Sequence, residues 1–234
     1  MNYIVTRLLL MRIAVLNCRF SVLVFIFLFS GISLGDFAQD HLEPVNRDED
    51  KMYRSKLDSM LLVTPANFAR MSLNPGSDPE FAVSVYSRSS KDASNRVEYY
   101  VTLTQASDSI WYSMPENNTS HTKKHIYVTR YDTEIPSSTA LAIRRAWEQM
   151  LSQTRPHKGL VDPPIGGETV YFSIDEPRFA ALTAQLPVQK GKNTQKFERL
   201  GLDLADYCKA PMKERQALAQ KITRTAEELL KHIQ

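Results

Sequence analysis

The chain has 234 residues, and its 29 Lys and Arg face 26 Asp and Glu, for a formal net charge of +3. The excess lies in residues 1–35, whose only charged residues are Arg7, Arg12 and Arg19; taking those three from 29 leaves 26 basic residues against 26 acidic ones. A neutral remainder gives no support to nucleic-acid binding, which needs a clustered basic face, and with only Cys208 after residue 35 a disulfide-stapled fold is excluded.

Ser21 to Gly35 reads SVLVFIFLFSGISLG, without a charge. A membrane span wants about 20 apolar residues, whereas a signal-peptide core needs about 7–15 after a basic stretch and before small residues. Ser33 and Gly35 are the small residues before a cut at Asp36, and Asp36, Asp40 and Glu43 follow. Positive charge before the core and acidic charge after it favours export of the remainder. Residues 1–35 are therefore expected to be a signal peptide. The alternative is an uncleaved anchor reaching back to Ile13, with the domain held outside an inner membrane. Cys18 precedes the apolar core, so a lipoprotein signal does not fit. Disulfide-free export suits a bacterial envelope; the overlapping glycosylation sequons at Asn117 and Asn118 would mark an exposed loop in a eukaryote and carry no meaning in most bacteria.

Residues 36–47 are polar, contain Pro44 and read as a tether. Residues 48–234 are expected to form one domain, long enough to bury a core. A helix should start near Asn46, with Glu49 as its capping-box partner. Tyr53, Leu57, Met60 and Leu61 share one helical face, and Pro65 should end the helix. Asn74 to Pro79 is a turn cluster. Strands are expected at Phe81–Tyr86, Val97–Thr104, Ser109–Met114, Lys124–Ile135 and Val170–Ile174, from alternation and β-branched or aromatic content. Between them, a helix capped by Ser137 or Ser138 should run to about Thr154 with Ile143, Trp147, Met150 and Leu151 inward. Arg155–Glu168, rich in Pro and Gly, reads as a long irregular loop.

Two helices should finish the chain. The first, capped by Asn193 or Thr194, carries the stripe Phe197, Leu200, Leu204, Tyr207 and Cys208. The second starts at Pro211 and carries Leu218, Ile222, Thr225, Leu229 and Ile233. That last stripe is expected to pack at home; exposure of Ile222 and Leu229 would mark it as a docking face. The fold class read from this pattern is α+β: an antiparallel meander of about four to five strands packed against three to four helices, after an N-terminal signal segment.

No pattern specifies a reaction. His121 and His125 have the spacing of a helical zinc pair, but they fall where loop passes into strand, with Lys123 and Lys124 between them. They are the only metal candidates, and no metal or other cofactor is expected. Asp132/Glu134 and Asp175/Glu176 are acid pairs of a kind common on sheet edges. Lys190-Gly191-Lys192-Asn193-Thr194 lacks the residues of a phosphate loop and reads as a turn and cap. No Gly-x-Ser-x-Gly elbow occurs, and Cys208 lies on a core stripe. Tyr99, Tyr100, Trp111, Tyr112, Tyr127 and Tyr131 could line one sheet face, and Tyr and Trp suit recognition. Tyr112, Tyr127, Tyr131 and Arg144 are accordingly the expected ligand-contacting residues. The reading is an exported, non-enzymatic binding or structural domain of the cell envelope. It would meet a protein or ligand partner but no nucleic acid, and a membrane only through an uncleaved N-terminal segment. The alternative is an extracytoplasmic hydrolase with a site near His121, His125 and the 155–168 loop.

Overall fold

The computed structural model describes residues 38–45, 51–62, 67–75, 78–90, 96–114, 125–156, 168–175 and 182–233. All belong to one compact unit that starts at Ala38. The expected signal segment, the Asn46–Glu49 capping box, Pro65, the sequons, His121 and Glu176 lie outside the described residues, as do residues 157–167 of the long loop.

The fold is α+β. Seven strands form one sheet, β1 (Glu43–Pro44), β2 (Asn67–Asn74), β3 (Phe81–Ser89), β4 (Val97–Ala106), β5 (Val128–Glu134), β6 (Thr169–Asp175) and β7 (Leu182–Gln185), in the order β1-β7-β6-β2-β3-β4-β5. Every neighbouring pair is antiparallel. The four helices are α1 (Lys51–Leu61), α2 (Ser137–Ser152), α3 (Lys192–Lys209) and α4 (Met212–His232).

The meander is real over β2 to β5, but the sheet is wider than the expected four to five strands. Strands β1, β2 and β7 were not anticipated. The expected strand Ser109–Met114 is instead a turn containing the short 3-10 helix Trp111–Ser113. The cause is Glu80, whose buried carboxylate accepts the N–H groups of Ile110 (2.6 Å) and Trp111 (3.0 Å) and the hydroxyls of Tyr53 (2.8 Å) and Ser109 (3.4 Å). Backbone donors directed at one side chain cannot also form a ladder with a neighbouring strand.

Alternation sorts each strand between two faces. On one face Met71, Val83, Val85, Val101, Leu103, Val170 and Phe172 meet α2 and α3 in the main core. Trp147 of α2 and Phe197 of α3 close on Phe172, with ring centroids 4.4 Å apart (Trp147–Phe197) and 4.3 Å apart (Phe172–Phe197). The indole N–H of Trp147 donates to the Arg70 carbonyl at 3.1 Å. The helical stripes of α2 and α3 are buried as their spacing required, Cys208 included. Side-chain caps were expected at Ser137 or Ser138 and at Asn193 or Thr194, but the caps are Pro136 and Gly191, without side-chain cap bonds.

The last helix packs on α2 and α3. Ile222 and Leu229 are fully buried, so they form no docking face; the inward stripe is Ala219, Ile222, Ala226, Leu229 and Ile233, with Thr225 only partly covered. Buried Asp203 of α3 ties the two helices, receiving Lys221 of α4 at 3.0 Å and Arg199 at 2.8 Å.

Residues 38–45, within the span expected to be a tether, pack on the domain. Leu42 is fully buried, and Glu43–Pro44 pair with β7. Asp40 accepts the Asn193 N–H at 2.7 Å, capping α3 from far away in sequence. Gly191 has to be glycine here: a Cβ would stand 2.4 Å from Asp40 Oδ1 and 2.7 Å from the Gln39 carbonyl carbon.

Candidate functional site

The opposite face of the sheet is only partly covered. There α1 sets Leu57 and Leu61 on Ala82, Ala106 and Ile110 in a small second core. Beyond that core the face is polar, and a cleft of about 320 Å³ opens between α1 and strands β2, β6 and β7.

The spacing of three short segments builds this cleft. Arg70, Ser72 and Asn74 recur at every second residue of β2, so they share a face. The register sets Arg70 beside Ser173, Ser72 beside Tyr171 and Asn74 beside Thr169 of β6, whose outward row continues to Asp175. From above, Arg54 and Asp58 stand one helical turn apart on α1 and lean over the same space. Leu57, Leu61 and Ile174 supply the apolar wall.

Charge is concentrated here. Arg70 is buried and donates through Nε to Ser84 Oγ at 3.0 Å. Burial holds its guanidinium below the ordinary value, against the opposing pull of Asp175 and Asp58. Asp58 is exposed as a residue, yet partial burial of its carboxyl raises it above the ordinary value, against Arg54 and Arg70. The Arg54 guanidinium lies 4.7 Å from the centroid of the Tyr171 ring, a cation–π contact. Asn74 is also buried, and its Oδ1 has no hydrogen-bond partner among the described residues, an arrangement that costs free energy unless something supplies a donor. Two guanidinium groups, two carboxylates and an amide oxygen thus surround a space at the small end of the range for ligand sites, about 300–1,000 Å³.

The residues expected from sequence stand elsewhere. Tyr112 is 43% exposed in the turn after β4, Tyr127 is 66% exposed just before β5, and Tyr131 is 39% exposed on β5. Arg144, on α2, pairs with Glu148 at 2.8 Å and lies 5.7 Å from the Phe68 ring. None of the four lines the cleft. The aromatic run does not share a face. Tyr99 turns to the main core against Phe68, whereas Tyr100 stacks on Tyr86 across the sheet, and Trp111 packs edge-on against Tyr53 of α1.

His125 lies with its ring 4.6 Å from that of Tyr127 and borders a hollow of about 190 Å³ with Lys56, Met60, Ser113 and Ile126. The Ser113 hydroxyl there donates to the Ile110 carbonyl at 2.6 Å and accepts from Lys56 at 3.1 Å, both structural uses. Among the described residues no group of three or more His, Cys, Asp and Glu is placed to hold a metal. Asp132 accepts from Thr102, Arg130 and Tyr86. The Lys190–Thr194 turn has its helix terminus filled by Asp40, and Lys190 is engaged by Glu198 at 2.6 Å. Of the described members of the acid pairs, Asp132, Glu134 and Asp175, only Asp175 lines the cleft. Compared with family models, curated proteins and solved structures, the chain matches none.

Proposed function

We propose that this chain is an exported binding domain whose cleft beneath α1 takes a small zwitterion, of about the size of a free amino acid. The carrying observation is the pairing of charges around one confined space: Arg54 and Arg70 with Asp58 and Asp175. Their formal charges cancel, so the matching ligand is neutral overall and carries both signs. Its carboxylate would meet the guanidinium groups, where charge-assisted and bidentate contacts are strongest. Its ammonium would meet the carboxylates and donate to Asn74 Oδ1.

Thermal unfolding of the whole chain with L-amino acids, glucose and succinate tests this reading. A ligand at a hundred times its Kd stabilises the folded state by about 2.7 kcal/mol. For a chain of this size that raises Tm by roughly 5–10 °C. At least one amino acid should give such a shift, and Arg54→Ala should abolish it. If no amino acid moves Tm at millimolar concentration, or if Arg54→Ala leaves the shift intact, the cleft is not a zwitterion site.

Export rests on residues 1–35, with their three arginines and uncharged core. The first of the described residues to pair with the domain is Gln39, which lies after the expected cut before Asp36. Among the described residues no helix is long and apolar enough to cross a membrane. N-terminal sequencing of the chain from an envelope or periplasmic fraction should begin at Asp36. Recovery of the intact chain in the cytoplasm alone would overturn export.

A further inference from the structure

The two edges of the sheet are treated differently. At one edge β1 is two residues long and includes Pro44, which has no N–H to offer. Short strands and proline are how proteins blunt an edge against further pairing. At the other edge β5 runs for seven residues, VTRYDTE, without Pro, Lys or a register shift against β4. Every residue from Val128 to Asp132 is exposed, and Tyr127, Val128 and Tyr131 are three of the exposed large apolar side chains.

The direction of the free backbone groups follows from the ladder. Ser107 N–H donates to the Tyr127 carbonyl, and Ile135 N–H donates to the Tyr99 carbonyl. Odd-numbered residues of β5 therefore point their backbone groups at β4. The even-numbered ones, Val128, Arg130, Asp132 and Glu134, point theirs outward. The Glu134 carbonyl accepts the Tyr207 hydroxyl at 2.9 Å, which leaves the middle of the strand as the open part among the described residues.

We infer that β5 pairs antiparallel with β5 of a second copy of this chain, centred on Tyr131, to make one continuous sheet. In that register Arg130 and Asp132 face each other, whereas the adjacent registers with the same backbone groups facing set Arg130 or Asp132 opposite its own copy. Arg130 of each copy falls opposite Asp132 of the other, Thr129 falls opposite Thr133, and Tyr131 meets its own symmetry mate. The two Arg130–Asp132 positions carry the outward backbone groups, so they exchange about four hydrogen bonds. Arg130 and Asp132 already share a side of the strand, with Nε to Oδ2 at 2.9 Å; the second copy turns this pair into a ring of four alternating charges. Opposite charges and aromatic pairs directly across a ladder are favourable, and like charges are not. A two-strand junction buries less surface than a permanent dimer, so association depends on concentration.

Disulfide trapping in the whole chain tests the register, with Cys18→Ser leaving buried Cys208 as the only native thiol. At a non-hydrogen-bonded antiparallel position the two Cα atoms are about 4.5 Å apart, within disulfide range. Tyr131→Cys should yield a linked dimer under mild oxidation. Thr129→Cys should not, because its symmetry mate lies four residues further along, about 13 Å away. Adding Arg130→Glu, which sets a carboxylate opposite Asp132, should lower the Tyr131→Cys yield several-fold. Equal trapping at 129 and 131 would overturn the register. A single-chain mass for the unsubstituted protein by light scattering at about 100 µM would overturn the dimer whatever the variants do.

Discussion

Removing the Glu80 carboxylate tests the joint that holds α1, the 3-10 turn and the sheet together. Glu80 is almost fully buried and serves four donors, of which the Ile110 N–H at 2.6 Å is buried and the Trp111 N–H at 3.0 Å and Tyr53 hydroxyl at 2.8 Å are partly so. Glu80→Ala strands all three. A buried donor without an acceptor costs about 1–3 kcal/mol, so with two of the three half-buried the expected loss is about 3–5 kcal/mol. That is a large part of a typical domain stability of about 5–15 kcal/mol. Glu80→Gln keeps one carbonyl oxygen but turns an NH2 group toward other donors, and should lose less. Urea unfolding of the two variants, followed by circular dichroism, gives both numbers. A loss below about 1 kcal/mol for Glu80→Ala, or equal losses for Ala and Gln, would refute the assignment of this carboxylate as the acceptor for the turn.

Three further outcomes follow from single positions. A Cβ at Gly201 would stand 2.2 Å from Met71 Sδ and 3.0 Å from its Cε. Gly201→Ala should therefore destabilise despite gaining about 1 kcal/mol of helix propensity, and Met71→Ala should relieve the clash in a double-mutant cycle. The Cys208 thiol is pushed up to about 12 by burial and, to a lesser extent, by Asp132. With Cys18 replaced, the native chain at pH 8 should react with a thiol reagent no faster than it unfolds, and rapid labelling would contradict a packed thiol. Burial raises the Asp58 carboxyl above the ordinary aspartate range, so its negative charge is lost on acidification earlier than in an ordinary aspartate. Calorimetric affinity for a zwitterionic ligand should fall with decreasing pH, beginning before an ordinary aspartate would be protonated, and Asp58→Asn should flatten that fall.

Helical elements were the most legible part of the sequence. A stripe at spacings of three and four has one solution in space, and Ile143, Trp147, Phe197 and Leu204 are buried where that spacing put them. Strands were legible where β-branched and aromatic residues were dense, as in β3, β4 and β6. Strand β2 was hidden because its inward residues Ala69, Met71 and Leu73 are neither β-branched nor aromatic, and its one core aromatic, Phe68, sits at a register shift that breaks the alternation. It also lies between Pro65 and the Asn74–Pro79 turn, whose breaking signals dominate the region. The turn at Ser109–Met114 was misread because its aromatic composition is that of a strand. Glu80, which decides its conformation, stands about thirty residues earlier, beyond any local window.

The cleft was hidden for the same reason as β2. Three of its polar groups, Arg70, Ser72 and Asn74, are the outward row of that one strand, and they gain meaning only when Tyr171, Ser173 and Asp175 of β6 are hydrogen-bonded beside them. No spacing in the chain announces a site assembled from β2, β6 and a helix that precedes both. Exposed tyrosines were the visible sequence signal, and they led to the other end of the sheet. There Tyr127 and Tyr131 lie by the last strand of the sheet among the described residues, the surface proposed to meet a second copy; a small ligand needs the concavity beneath α1. The two surfaces lie at different strands and use different residues, so their tests separate. Arg54→Ala should remove ligand stabilisation and leave Tyr131→Cys trapping unchanged, while Arg130→Glu should do the reverse. Loss of both by either change would mean that the sheet couples the cleft to the β5 edge through β3 and β4, the strands that lie between them.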